Sequence, residues 1–350
     1  MFVGNFLAAK VGSRGISEDI SFELEQLGWN VILTSRIGNK ALRLADMART
    51  VLTKRSQFQV AVIDVYSGPA FRYAEVIGAL LRRLGKPFVL TLHGGNLPQF
   101  AAREPARVRR LLQSAAVVTA PSAYLRDAML PYRGDVMVVP NPLTVAKYPF
   151  RARISASPKL VWLRAFHEIY NALLAVQVVA ELRPRFPDLE LTMIGPDKGD
   201  GTRAKVLAEI DRLGLKQHVR LEDAVPKARV PEVLGPHDLF LNTSDFDNMP
   251  VSVIEAMACG LCVVSTNVGG LPFLLEHGSE GLLVPQRDAV AMAAAVRQIL
   301  TEPALASRLS LHARKKAETF DWAQVLPLWC DLLSGITGRQ VSKNAQAVLT

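Results

Sequence analysis

Short apolar, β-branched runs recur along this chain, separated by stretches whose apolar positions return every three or four residues. In the first half the runs are NVILT (30–34), VAVID (60–64), PFVLTL (87–92), AVVTA (116–120) and VMVVP (136–140). In the second half they are KLVWL (159–163), LELTMIG (189–195), VRLED (219–223), DLFLNTS (238–244), CVVST (262–266) and GLLVP (281–285). Helical patterns lie between them, such as ISEDISFELEQLG (16–28), closed by Gly28. Strands alternating with helices predict parallel, doubly wound sheets. The Pro-containing segment PNPLTVAKYPFRARISASP (140–158) interrupts the alternation and reads as an interdomain connection. Two similar α/β halves with a cleft between them follow. Met1-Phe2-Val3 leaves almost no room for a first strand before the loop GNFLAAKVGSRG.

Composition narrows the class. At 350 residues the chain is long for one core, so two domains are expected. An apolar fraction of 49% with 21% charged residues is that of a soluble globular protein, and no apolar run approaches bilayer length. No signal-type segment opens the chain, and three cysteines point to a reducing cytoplasm rather than a disulfide framework. The net charge of +9 is uneven: residues 1–150 hold 19 Lys and Arg against 10 Asp and Glu, the remainder 22 against 22. The densest cluster is REPARVRR, with Arg103, Arg107, Arg109 and Arg110. A solvated helix face and a membrane or acceptor surface bearing phosphate both account for it. Nucleic acid does not fit, because no aromatic residues interleave the cluster.

Candidate chemistry concentrates in SDFDNMPVSVIEAMACGLC (244–262), where Glu255 interrupts an apolar run. A buried carboxylate needs donors from the protein or from a ligand. Asn248 is a good cap and Pro250 suits a first helical position, so a helix is expected to start there and end at Gly260. Its free N–H groups would favour an anion. AKVGSRGIS places Gly12 and Gly15 before a helix, TLHGG places His93 just past a strand, and VWLRAFHEIYN places Arg164 likewise. Ends of parallel strands are where ligands bind, although an ordinary turn, a structural histidine and a surface ion pair are the plainer accounts. Cys259 and Cys262 form a C-x-x-C without a second pair, which reads as buried thiols.

Together these segments resemble the retaining, nucleotide-sugar-dependent glycosyltransferases of family four, which have the GT-B fold. The resemblance covers about residues 1–330 and is strongest over DNMPVSVIEAMACGLCVVSTNVGGLPFLLEHGSEGLLV, where Asp247 and Glu255 match the family's two acidic residues separated by seven. It implies two Rossmann-like domains facing a central cleft: residues 1–148 on the acceptor side, with a helix at about 322–336 packing back on them, and 149–321 binding the donor. Residues 337–350 read as a tail.

By this resemblance Glu255 would accept from ribose hydroxyls and Asp247 from those of the transferred sugar. Arg164 would neutralise the leaving diphosphate, His93 would sit near sugar and acceptor, and Gly12 and Gly15 would approach the diphosphate. Backbone N–H groups around Asn248, Met249, Val251 and Ser252 would face the donor. No metal and no cofactor is expected. The partners implied are a nucleotide-sugar donor and a glycan or lipid-linked acceptor, with a role in cell-surface polysaccharide or glycolipid synthesis at the cytoplasmic face of the membrane. Three departures stand out: Asp247 replaces the commoner Glu, Ile169 stands where the family carries a Lys, and Cys262 stands where Pro is usual. A GT-B-fold nucleotide-sugar epimerase and a non-catalytic paralogue binding glycan or nucleotide are the competing readings.

Overall fold

The computed structural model describes residues 1–6 and 15–338. The chain divides into two compact units, Met1–Pro142 with 322–350, and Leu143–Asp321. Gly12 lies outside the described residues.

In the first unit six strands form one parallel sheet: β1 (Phe2–Val3), β2 (Leu33–Thr34), β3 (Ala61–Val65), β4 (Phe88–Leu92), β5 (Val117–Ala120) and β6 (Met137–Val138), in the order β2-β1-β3-β4-β5-β6. Although β1 has only two residues, it is central: Phe2 pairs with Leu33 on one side and Val62 on the other. Burial on both faces explains the near-continuous apolar strands. Ala61, Ile63 and Val65 face one core layer, while Val60 and Val62 face another. That second layer is completed by Ile20 and Leu24 of the helix Ile16–Gln26 and by Val325, Leu326, Trp329 and Leu333 of Trp322–Thr337. Gly28, at φ +78°, lies just past the first of these helices and donates its N–H to the Glu25 carbonyl.

The second unit holds β7 (Lys159–Leu163), β8 (Glu190–Ile194), β9 (Val219–Glu222), β10 (Leu239–Asn242), β11 (Cys262–Thr266) and β12 (Gly281–Val284), all parallel, in the order β12-β11-β10-β7-β8-β9. Sequence order reverses between β7 and β10. At such a switch point the adjacent loops part to opposite faces and open a crevice at the carboxyl ends of the strands.

The division falls at 142/143 rather than 148/149, because the connecting segment is tied into the second unit. Leu143 N donates to Phe320 O, and Tyr148 is buried in that unit's core. Farther along, Arg153 is fully buried and hydrogen-bonds Asp238 and the carbonyls of Arg151, His237 and Cys259. Asp238 also accepts from Ser157 N and Oγ.

Two local expectations need correction. The helix after β10 is Val251–Ala258, and its N-cap is Pro250, in extended backbone; Asn248 does not cap it. The chain therefore crosses two more residues as a loop, which Pro250 permits because it has no N–H to leave unsatisfied. Gly260 does terminate the helix in left-handed conformation: Gly260 N donates to Met257 O and Leu261 N to Ala256 O. The basic cluster is not one helix face either. Glu104 separates Leu97–Arg103 from Pro105–Gln113, and Pro105, which cannot donate into a continuing helix, begins the second.

Candidate functional site

In the second unit the loops after β7 and β10 carry the candidate residues. Arg164 follows β7 directly, and Asp247 lies in the loop after β10. The structure pairs these two with each other as an ion pair. Arg164 also lies over the Tyr170 ring, 4.5 Å from its centroid, and its buried Nε has no hydrogen-bond partner. Burial pulls its pKa below the usual guanidinium range, with Tyr170 and Glu255 opposing. Asp247 is further occupied: Oδ1 accepts from Asn248 N at 3.0 Å and Oδ2 from Ser244 Oγ at 3.2 Å. The Asn248 N–H, expected to face the donor, is thus spent on Asp247. Those of Val251 and Ser252 open the helix, where no intrahelical carbonyl is available to them.

The loop is held rigidly. Thr266 Oγ1 donates to Ser244 O at 2.6 Å, Asp245 N to Ile169 O at 2.8 Å, and Arg287 grips Asp245 through Nε and Nη2. Gly269 and Gly270 pack directly beneath: a Cβ at either would lie about 2 Å from the carbonyl oxygen of Asp247 or Asn248. Met249 is buried in the core, so its side chain is structural.

Glu255 is 5% exposed. Its Oε1 accepts from Tyr148 Oη at 2.7 Å, so the protein itself answers one of its two oxygens. Burial raises its pKa above the usual carboxylate range; the Tyr148 bond and the nearby charges of Lys227 and Arg164 oppose this. Beside it, Ser252 Oγ is buried without a partner. Arg164, Tyr170, Gly195, Lys198, Val225 and Ser252 line a cavity of about 360 Å³. Cationic, hydroxyl and helix-end donors on one wall suit phosphate. Cys259 and Cys262 are buried free thiols, pushed up to about 11 and about 12 by desolvation.

In the first unit His93 follows β4. Its Nε2 meets Asp64 Oδ1 at 3.0 Å, and its ring stacks on Tyr66 at 4.9 Å. Ser17 Oγ donates to the same oxygen at 2.6 Å. Gly15 caps the helix carrying Ser17, and its N–H donates to Glu18 Oε2 at 2.8 Å. A cavity of about 440 Å³ opens beside Asp64, lined also by Arg43, Tyr66 and Tyr73.

Of the arginine cluster, Arg103, Arg109 and Arg110 are exposed. Arg107 is not a free surface charge. It binds both carboxylate oxygens of Glu75, at 3.0 and 2.7 Å, and packs over the rings of Phe71 and Phe100.

Sequence reasoning missed Asp64, Tyr148 and Lys198. Asp64 carried one legible signal, a lone charge near the end of an apolar parallel strand. Tyr148 lay in a segment read as a connection.

Residues 157–302 match the family model described as glycosyl transferases group 1, and residues 18–147 match that of glycosyltransferase family 4. The chain belongs to this glycosyltransferase family. It is 26% identical over 274 residues to D-inositol 3-phosphate glycosyltransferase of Rhodococcus jostii, covering 70% of this chain but 61% of that protein. It is 25% identical to the GDP-mannose-dependent α-(1-6)-phosphatidylinositol monomannoside mannosyltransferase of Mycolicibacterium smegmatis, covering 74% and 73%. In fold it is similar to Anabaena HepE, solved in complex with UDP-glucose: the TM-score is 0.72 at 18% identity, covering 92% and 90% of the two chains.

Proposed function

We propose that this chain transfers a sugar from a nucleoside diphosphate sugar to an acceptor hydroxyl, with retention of the anomeric configuration. The observation that carries the reading is the crevice after β7 and β10. A buried carboxylate bonded at Oε1 alone among the described residues, Glu255, lies on the same helix as Ser252, which walls a cavity together with Arg164. Glu255 takes ribose hydroxyls, and the cationic wall takes the diphosphate. Asp247 exchanges its pairing with Arg164 for hydroxyls of the transferred sugar as the diphosphate claims the guanidinium. Charge growing on the leaving diphosphate is stabilised by Arg164 and the helix end, an effect that acts in the transition state. Retention follows from attack on the face the diphosphate leaves, with its oxygen helping to take the acceptor proton.

His93 stands in the first unit as an acceptor-side residue. Two relatives are named for phosphorylated or lipid-linked inositol acceptors. Together with the basic excess of residues 1–150, they support a phosphate-bearing or lipid-linked acceptor, reached at the cytoplasmic face of a membrane in cell-surface glycan synthesis. Among the described residues no helix is long and apolar enough to cross a membrane.

The test is a panel of nucleoside diphosphate sugars, read by thermal shift and by slow donor hydrolysis. One base and one sugar should stand out, and turnover should survive excess EDTA. Absence of any donor response, or activity lost to chelator and restored by Mg²⁺, would sink the mechanism. NMR of the product anomer decides retention.

A further inference from the structure

A diphosphate brings two or more negative charges, yet Arg164 is the only charged residue of its own loop that lines the cavity. Position 169, on the turn that follows, is Ile, and its carbonyl is engaged by Asp245 N at 2.8 Å. A second cation reaches the same cavity from another strand.

The loops leaving β7 and β8 continue the parallel ladder beyond the strands. Arg164 N donates to Ile194 O at 3.1 Å, Phe166 N to Pro196 O at 2.8 Å, and Lys198 N to Phe166 O at 3.2 Å. Gly195 makes this approach possible, since a Cβ there would lie 1.7 Å from the Arg164 carbonyl oxygen. The zipped loops set Lys198 on the cavity wall with Arg164 and Ser252. Carboxylates nearby are otherwise engaged. Asp197 Oδ1 accepts from Gly199 N at 2.8 Å. Asp200 accepts from Glu168 N and Thr202 N, which hold its pKa down at about 2. Lys198 is exposed and makes no ion pair among the described residues. The side chain can therefore swing onto an incoming anion. The two groups already buried without partners at this cavity, Arg164 Nε and Ser252 Oγ, mark its wall as built for a ligand.

We propose that Lys198 is the second cation of the diphosphate site, carried on the β8 loop, where it supplies the charge that position 169 lacks. This rests on the donor reading above. It makes the zipped loop pair, rather than a single element, the unit that neutralises the leaving group.

The experiment is calorimetric titration of the full chain and its K198Q and K198R variants with UDP, GDP, ADP, CDP and dTDP, with competition by the matching uncharged nucleosides. K198Q should weaken the preferred nucleoside diphosphate about ten-fold, the scale of one charge-assisted contact, and leave the nucleoside unchanged. K198R should retain most of the affinity, and all three proteins should melt at the same temperature. If the wild type binds a nucleoside diphosphate and K198Q binds it equally well, the assignment of Lys198 is overturned while the donor reading stands. Equal losses for diphosphate and nucleoside also overturn it. If no nucleoside diphosphate binds the wild type, both fall together.

Discussion

The two sheets solve the same topological problem with opposite charge. Each reverses its strand order once, between β1 and β3 in the first unit and between β7 and β10 in the second. Beside each reversal a glycine lets one strand end approach its neighbour: Gly4, past β1, against the Asp64 side chain of β3, and Gly195, past β8, against the Arg164 backbone past β7. In the first unit the group at the crevice is a carboxylate already bonded by Ser17 and His93. In the second it is a guanidinium with an unpartnered Nε, beside an unpartnered serine hydroxyl. The overall charges run the other way. Residues 1–150 carry the whole positive excess, and the rest balance. Net charge therefore says nothing about the sign of a crevice. The basic excess belongs to the surface of the first unit, while the chemistry at each switch point is set by one or two residues.

The comparison breaks most sharply at the glycines. Gly195→Ala drives a Cβ into backbone, so the loops after β7 and β8 must separate; the expected loss is about 3 kcal/mol or more, the scale of severe overpacking with broken hydrogen bonds. Gly4→Ala meets the end of a side chain, Asp64 Oδ2 at 2.2 Å. Asp64 can rotate away, at the expense of its bonds to Ser17 and His93, for about 1–2 kcal/mol. Native-state hydrogen exchange reads the two units separately. Equal losses in the two variants would mean that the approaches are equivalent, and that the distinction between backbone and side-chain contact is wrong.

Next in size is Glu255, whose Oε1 takes one bond, from Tyr148, where Asp64 Oδ1 in the first unit takes two, from Ser17 and His93. Glu255→Gln should weaken nucleotide binding by about 1–3 kcal/mol, since hydrogen bonds to a charged acceptor are lost. Its pH signature has a definite sign. The folded pKa lies above the unfolded value because burial disfavours the charged form. The protonated group's contribution to stability is thus fully present below the unfolded pKa, near 4.3, and is lost as pH rises through the folded pKa. Unliganded Glu255→Gln should lack that decline and melt higher than the wild type at neutral pH. Ribose hydroxyls donate to the ionised form, so nucleotide binding should release protons at pH values near the folded pKa. Calorimetry in buffers of different ionisation enthalpy measures this. Zero proton release throughout, with an unchanged dissociation constant in the variant, would remove Glu255 from the site.

How much of this was legible follows from where the partners lie in the chain. The strand runs KLVWL and CVVST stand in the structure at the residues that the apolar pattern marks, because strands buried on both faces leave a continuous signal. NVILT shrinks to Leu33–Thr34, since its pairing is limited by the two residues of β1. The helix at 251 starts late because capping preferences describe a helix end in isolation, whereas Asp247 and the glycine pair at 269–270 hold Asn248 in the loop. Asp64 was legible only as a lone charge in an apolar run, and Lys198 was not legible. Asp64 acquires meaning from His93 and Ser17, and Lys198 from a loop more than thirty residues earlier. Tyr148 reaches Glu255 across more than a hundred residues, and nothing local distinguishes it from a packing tyrosine.

The smallest effect per residue belongs to the basic surface, and there the structure divides a cluster that the sequence presents as one. Arg103, Arg109 and Arg110 are exposed, whereas Arg107 is held by Glu75 and two aromatic rings. If the first unit's excess charge serves an anionic membrane, the three exposed arginines should each contribute about 1 kcal/mol of attraction near the surface, fading within a Debye length. The R103Q/R109Q/R110Q variant should then sediment less with vesicles containing anionic lipid, most clearly at low salt, and keep its donor affinity. R107Q should do the reverse. Vesicle binding should change little, but the unit should lose stability, because removing the guanidinium leaves Glu75 without its partner and strips packing from Phe71 and Phe100. Equal sedimentation of the triple variant and the wild type at low salt would reduce the cluster to a solvated surface. A larger loss of vesicle binding in R107Q than in the triple variant would mean that the paired arginine, not the exposed ones, shapes the surface that lipid meets.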